Sequence, residues 1–243
     1  MLTPRLFVGD TEALPEAGRE YSLPAAAARH AAQALRMRRG DALALFTGTG
    51  GEYAATITHI DRHGVVAEVE RFVDIEREFT RPLALVQAVV AADMMDFVVR
   101  KAVELGASAI VPVQAARSQG LPPERAQRRV AHWRQIAIAA CEQCGRNRLP
   151  RITPVVAWSD WLAGADDQRA PMVILDHEAS MPLARVVGDS APRTVIVGPE
   201  GGFTREESGT ARACGAIAAQ LGPRVLRAET AALAALAVIA ALG

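Results

Sequence analysis

Three short segments combine glycine, proline and ionisable residues in patterns that could hold a ligand and act on it. They are Leu175-Asp176-His177-Glu178, Gly198-Pro199-Glu200-Gly201-Gly202-Phe203, and Leu221-Gly222-Pro223-Arg224-Val225-Leu226-Arg227-Ala228-Glu229-Thr230. Each follows a short apolar run that reads as a buried strand, and in open α/β sheets ligands bind at the carboxyl ends of strands. Glycines in that position let backbone N–H groups approach a ligand closely. Thr204 with Glu207 three residues later is a capping-box pattern, so a helix starts just after the second segment. Such places often bind phosphate. Glu200 argues against phosphate, because its carboxylate would repel the anion. The nucleotide fingerprints G-x-G-x-x-G and G-K-[ST] are absent from the sequence.

A glycine-rich loop carrying an acid better suits a ligand with hydroxyls, an amine or a positive charge. S-adenosylmethionine has all three, in its ribose hydroxyls, α-amine and sulfonium. A tight turn with a surface glutamate is the plain alternative. In the third segment Leu221-Gly222-Pro223 gives a turn beside an apolar contact, and Leu226 could line an adenine slot. Arg227 and Glu229 lie just before the last helix, where Glu229 or Thr230 could equally serve as a cap. For Arg224 the alternative is a surface salt bridge.

Other candidates carry less. Cys141-Glu142-Gln143-Cys144 is a C-x-x-C with no second pair, late in an apolar helix, and a zinc site would need two more ligands. No metal site is expected. The five histidines, at 30, 59, 63, 132 and 177, form no H-x-x-x-H or similar cluster. Gly145-Arg146-Asn147-Arg148 has the residue types for phosphate and base contacts, or is a polar exit from a helix. Met94, Met95 and Phe97 read as helix core.

The elements that must position these segments fall into two styles. Up to about Phe72 the chain is β-rich. Leu43–Phe46, Tyr53–Ile60 and Val65–Phe72 are strand candidates separated by Gly48-Thr49-Gly50-Gly51 and by Asp61-Arg62-His63-Gly64. A helix over roughly Ala25–Met37 interrupts them, and the whole suggests a small barrel. Asp74–Pro82 is charged, ends in proline and reads as a linker. Strands and helices then alternate. The strands are Leu83–Val90, Ala109–Val113, Met172–Leu175, Thr194–Val197 and Ile217–Leu221. The helices are Met94–Leu105, Pro123–Cys144, Thr204–Cys214 and Glu229–Leu242. This alternation implies an α/β domain with a mainly parallel sheet. The expected domains are 1–72 and 73–243.

Composition sets the bounds. The 243 residues carry 27 Lys+Arg against 27 Asp+Glu, 50% hydrophobic residues and three cysteines. The apolar content excludes intrinsic disorder. Three cysteines make no disulfide framework, which favours a reducing compartment. The longest apolar run, Ala231–Leu242, falls short of the about 20 residues of a spanning helix, and the N-terminus lacks a signal-peptide pattern. A cytoplasmic protein without membrane contact is therefore expected. The neutral total hides basic patches. Arg117 to Arg151 holds eight arginines against two acids, and Arg36, Arg38 and Arg39 form a second cluster. That suits contact with phosphates at a defined surface, or merely solvated helix faces.

Taken in order, Gly198–Phe203 and Leu221-Gly-Pro-Arg-Val-Leu-Arg-Ala-Glu-Thr-Ala231 resemble the C-terminal signature of the RsmE-type 16S ribosomal RNA uridine-N3 methyltransferases, a SPOUT family. His30–Asp41, Met95–Gly106 and Ile136–Arg148 are similar to further segments of that family, so the resemblance spans nearly the whole chain. It implies an N-terminal PUA-like RNA-binding β-barrel and a SPOUT α/β domain with a trefoil-knotted parallel sheet. The knot comes from the resemblance alone, since chains almost never thread loops. The resemblance further implies a homodimer, S-adenosyl-L-methionine as cofactor, and 16S rRNA in the small ribosomal subunit as substrate. Carried over by motif, the cofactor residues would be Leu175, Gly198, Pro199, Glu200, Gly201, Leu221, Gly222, Arg224, Val225, Leu226 and Thr230. Ala91, Ala92 and Met94 depart from the basic pattern the family has before Met-Asp, and the stretch after Ala115-Ala116-Arg117-Ser118 is also atypical.

The implied reaction moves the sulfonium methyl to N3 of a uridine. N3 is a poor nucleophile until its proton leaves, so a base or a cation facing the imidate charge on O2 or O4 would help. Glu229 and Arg227 are the candidates by proximity to the third segment, with Arg146 as an alternative cation. N3 lies on the Watson–Crick edge, so the uridine must be unpaired or extruded. Arg5, Arg36, Arg38, Arg146, Asn147 and Arg148 are the candidate RNA contacts. The competing expectations are a non-catalytic RNA-binding dimer, a nucleotide- or NAD-dependent enzyme, and a SPOUT methyltransferase acting on another RNA.

Overall fold

The computed structural model describes residues 3–11, 13–164, 171–190 and 192–242. They form two compact units, one of residues 1–78 and 138–149, the other of 79–137 and 150–243.

In the first unit β1 (Arg5–Phe7), β2 (Glu20–Ser22), β3 (Ala42–Phe46), β4 (Glu52–Ile60) and β5 (Val65–Val73) form one mixed sheet in the order β1-β3-β4-β5-β2. The β4 and β5 strands show the period-two pattern of a half-buried sheet. Ala55 and Ile57 of β4 and Val65, Ala67 and Val69 of β5 are buried, while Glu68 and Glu70 face water. These residues share one core with Leu6, Leu43, Leu45 and the helical segment. That segment is shorter than its composition predicts. Helix α1 (Ala25–Arg29) runs on into a π-helical turn, His30–Ala34, and the chain leaves it through Arg36 at φ 52°. The triplet β1 and the triplet β2 are too short to show an alternation, so neither is legible in the sequence.

The unit's borders differ from the expected 1–72. Residues 74–78 are no free linker: Ile75, Glu76, Arg77 and Glu78 bond to the segment 145–148. Charges that look like linker composition are partners of a distant charged segment. Only the tertiary fold brings the two together.

The second unit is built on a parallel sheet of β6 (Ala84–Ala88), β7 (Ala109–Gln114), β8 (Arg151–Ile152), β9 (Val156–Ala157), β10 (Met172–Leu175), β11 (Thr194–Val197) and β12 (Ile217–Ala219). The strand order is β12-β10-β11-β6-β7-β8, with β9 also paired to β7. Apart from buried Gln87 in β6, the central strands are largely apolar runs, as strands covered on both faces are. Pro112 is tolerated inside β7 because β8 pairs only with 109–110 and β9 only with 113–114, leaving a gap where no N–H is required.

The helices are α2 (Ala92–Glu104), α3 (Pro123–Cys144), α4 (Trp158–Gly164), α5 (Leu183–Ser190), α6 (Arg205–Ala213) and α7 (Ala228–Leu242). Met95, Val98, Val99, Ala102 and Val103 make the buried stripe of α2, spaced as an amphipathic helix requires. The α7 helix is apolar nearly all round and packs against α2, α5, β6 and β11. Trp158 and Leu162 of α4 and Ala211 of α6 share a core with Val86, Val111, Ile174 and Ile196 of the sheet. Among the described residues no helix is long and apolar enough to cross a membrane.

Candidate active site

The carboxyl ends of β10, β11 and β12 converge on a cavity of about 220 Å³. Leu175, Gly198, Pro199, Glu200, Gly201, Leu221, Gly222, Arg224, Val225 and Leu226 line it, so the three segments singled out in the sequence meet at one place. The parallel sheet makes this unavoidable. Three adjacent strands running the same way deliver their following loops to the same edge.

Local chemistry shapes each loop. The side chain of Thr204 accepts from the Glu207 N–H at 3.1 Å, and Glu207 accepts from the Thr204 N–H at 2.8 Å. This reciprocal cap starts α6 and ends the glycine loop. Gly202 and Gly222 take φ of 69° and 106°, a region open to glycine. The Gly222 N–H donates to Gln220 Oε1 at 2.6 Å, closing the turn on the third loop. The ring of Phe203 lies 4.6 Å from that of buried Trp158, anchoring the far end of the glycine loop to α4.

Some sequence expectations shift. Glu200 lines the cavity, but its carboxylate accepts from the Ala91 N–H at 3.1 Å, at the start of α2. A helix N-terminus attracts a carboxylate, so this acid ties the loop to α2 as well as facing the cavity. Thr230, Arg227 and Glu229 are not among the lining residues, although Ala228 and Ala231 beside them are. The α7 helix starts at Ala228, with the Arg227 carbonyl accepting from the Ala231 N–H at 2.8 Å. Glu229 and Thr230 therefore sit in its first turn, and neither precedes it as a cap. Phe203, Gln220, Ala228 and Ala231 line the cavity without having been singled out as ligand contacts. Their apolar or amide side chains give no chemical signal in sequence, and only their place beside the loops would have found them.

The six candidate RNA contacts, all in the first unit, divide sharply by environment. Arg146 is 4% exposed, and its guanidinium donates to both oxygens of Glu78. Asn147 is fully buried, donating to the Ile75 carbonyl at 2.8 Å and accepting from Arg5. Arg5 is ion-paired with Glu52 and lies 5.0 Å from the centre of the Phe46 ring. Those three side chains are therefore engaged in an internal network, where sequence chemistry had read them as phosphate clamps. The reason is tertiary: three acids, Glu52, Glu76 and Glu78, are folded onto the same arginine-rich turn. Burial acts to raise the Glu52 pKa, but the hydrogen bond and charge of Arg5, together with Asn147 and Arg77, hold it below its ordinary value. Arg36 and Arg38 are exposed. Arg148 keeps 55% of its side chain exposed and pairs with Glu76 at 3.3 Å.

The cysteine pair is also settled by packing. Cys141 is buried and its thiol donates to the Arg148 carbonyl at 3.7 Å, with burial pushing its pKa up to about 12. Glu142, next to it, accepts from the Phe7 N–H at 3.0 Å and meets His30 at 3.3 Å. Burial raises its pKa despite those partners.

Comparison with known proteins finds a family for each part of the chain. Residues 77–240 match the RNA methyltransferase domain family, and residues 23–70 match the RNA methyltransferase PUA domain. The fold and the cavity thus define an RNA methyltransferase domain joined to a PUA domain. A crystal structure of ribosomal RNA small subunit methyltransferase E from Neisseria gonorrhoeae, bound to S-adenosyl methionine, is 33% identical over 99% of this chain and 98% of that one, with a TM-score of 0.89. A structure from Legionella pneumophila, in complex with the cofactor SAM, is 31% identical over 99% and 98%, with a TM-score of 0.88. The Bacillus subtilis protein named ribosomal RNA small subunit methyltransferase E is 28% identical, covering 97% of this chain and 95% of its own length. This chain belongs to the ribosomal RNA small subunit methyltransferase E family.

Proposed function

We propose that the chain is an S-adenosyl-L-methionine-dependent methyltransferase that modifies N3 of a uridine in 16S rRNA of the small ribosomal subunit. The observation that carries this reading is the cavity where the loops after β10, β11 and β12 meet. Its walls fit the cofactor in kind. Leu175, Val197 and Leu226 offer apolar surface for an adenine, and Gly198, Gly201 and Gly222 leave backbone uncovered for polar edges. Glu200 stands in the wall beside Arg224, so the lining is not the all-cationic one a phosphate would favour. The relatives from Neisseria gonorrhoeae and Legionella pneumophila, solved with this cofactor, support the assignment. When bound, the cofactor supplies the sulfonium methyl.

The chain's own residues would deal with the proton and the charge. In this reading Glu229, in the first turn of α7, accepts the N3 proton, and Arg227 just before it faces the charge developing on O2 or O4; what supports the pair is their position in sequence beside Leu226 and Ala228 of the cavity wall. Arg36, Arg38 and Arg148 are exposed and are the proposed phosphate contacts, with Arg5, Arg146 and Asn147 supporting the surface from within. The PUA match over residues 23–70 supports RNA binding there. A homodimer with the cofactor site near the subunit contact, which the resemblance implies, belongs to the same reading. The trefoil threading and a cytoplasmic location, which the resemblance and the rRNA substrate imply, complete the reading.

Two measurements test it. Titration calorimetry with S-adenosylmethionine should show binding. Mass spectrometry of 16S rRNA from a deletion strain should show one uridine methyl missing, restored by the wild-type chain. Arg227→Ala and Glu229→Gln, assayed in single turnover at saturating cofactor, should slow methyl transfer by about 10²-fold or more. If both transfer at the wild-type rate, the two roles are wrongly assigned.

A further inference from the structure

The glycine loop after β11 is too short and too glycine-rich to hold one shape by itself, because each glycine gives up more conformational freedom than any other residue. One turn bond holds it from within, the Gly202 N–H donating to the Pro199 carbonyl at 2.8 Å, and three further hydrogen bonds tie it to the elements around it. Glu200 accepts from the Ala91 N–H at 3.1 Å. Arg117 Nη1 donates to the Gly201 carbonyl at 2.8 Å. Glu207, in the first turn of α6 that follows the loop, accepts from the Ala116 N–H at 2.8 Å. Two of the three come from the turn after β7, a stretch without an assigned role.

That turn is itself built to make the reach. Ser118 Oγ accepts from the Ala115 N–H at 3.1 Å, the Ser118 N–H donates to the Ala115 carbonyl, and Gln114 Nε2 donates to the Gln119 carbonyl. The turn is thereby closed on itself, with Arg117 at its exposed tip. The receiving side is fitted to it as well. A Cβ at Gly201 would stand 3.3 Å from Cδ and 3.4 Å from Cβ of Arg117. Gly201 is thus the residue against which the arginine stem lies. The residue whose carbonyl the arginine caps, Gly201, lines the cavity.

The geometry points to Arg117 as a positioning residue for cofactor binding: it staples the Gly201 carbonyl and holds the glycine loop open in its receiving shape. The inference rests on the reading of that cavity as the S-adenosylmethionine site. Without the staple the loop must be ordered at the cofactor's expense, so the effect falls on cofactor affinity, not on the chemical step.

The test uses the full-length protein with S-adenosylmethionine calorimetry and steady-state kinetics on 16S rRNA or small subunits. Arg117→Ala should weaken S-adenosylmethionine binding about tenfold and raise its KM alike, with kcat at saturating cofactor, KM for RNA and Tm close to wild type. Arg117→Lys should recover most of the affinity, since one donor suffices for a carbonyl. Gly201→Ala should weaken binding in the wild-type background but add little to Arg117→Ala, because the added methyl acts by displacing the arginine. Unchanged cofactor affinity in Arg117→Ala, or strictly additive effects in the double variant, would overturn the inference. So would a raised KM for RNA with a reduced salt dependence, which would make Arg117 a phosphate contact. A wild-type protein that binds no S-adenosylmethionine would instead remove the reading beneath it.

Discussion

Arg146 and Arg148 stand two positions apart and share a chemistry, yet their surroundings assign them opposite work. Arg146 is 4% exposed and forks onto Glu78. Removing one partner of a buried pair strands the other charge. Arg146→Ala should therefore cost about 3–5 kcal/mol, read as a lower denaturation midpoint. Arg148, 55% exposed, pairs with Glu76 across a wet surface. Arg148→Ala should cost less than about 1 kcal/mol while weakening RNA binding. The depressed pKa of Glu52 gives a pH signature. A carboxylate whose folded pKa lies below its unfolded one contributes stability above the unfolded value, near 4.5, and loses it as pH falls through the folded value. The stability difference between wild type and Glu52→Gln should thus be full at pH 7 and shrink progressively below about pH 5. Equal differences at pH 7 and pH 3 would contradict the ion pair. For the thiols, Cys141, held near 12, should resist alkylation at pH 8 in the native state, whereas exposed Cys214 should react, as peptide mass mapping would show.

The elements show how short sequence signals set a site. The Thr204–Glu207 cap is legible in the sequence because both partners lie within one turn of helix, and the structure forms it in full. Thr204→Ala should cost about 1 kcal/mol and, by loosening the end of the glycine loop, also weaken S-adenosylmethionine binding. Thermal unfolding with and without cofactor separates the two effects, since loss of the cap alone lowers both melting points equally. The buried strands β7 and β11 and the helices α2, α3 and α7 are legible for the same local reason: their apolar runs or periods are long enough to read. The β8 and β9 strands are two residues each, and the α1 helix gives way to a π turn after Arg29. Such features answer to what lies beside them, and no local pattern encodes them.

At the scale of the whole molecule, zero net charge conceals an uneven distribution, and the fold decides which charges reach solvent. If Arg36, Arg38 and Arg148 meet phosphates, replacing all three by alanine should reduce the slope of log K against log salt by about 2–3. Affinity should fall for any RNA of similar size. An unchanged slope would move RNA recognition elsewhere on the molecule.

By itself the sequence determined the two architectural styles, the parallel sheet, and the three loops that line one cavity, because strand periodicity, glycine turns and helix caps are written within a few residues. Tertiary structure decided what those local patterns leave open. It turned residues 75–78 from a spacer into bonding partners of the segment 145–148 and withdrew Arg5, Arg146 and Asn147 from the surface. It also brought the tip of the turn at Arg117 onto Gly201. Each of those outcomes depends on residues tens of positions apart becoming neighbours. The energy of a charge or a carbonyl depends on what surrounds it, which the order of residues along the chain does not specify.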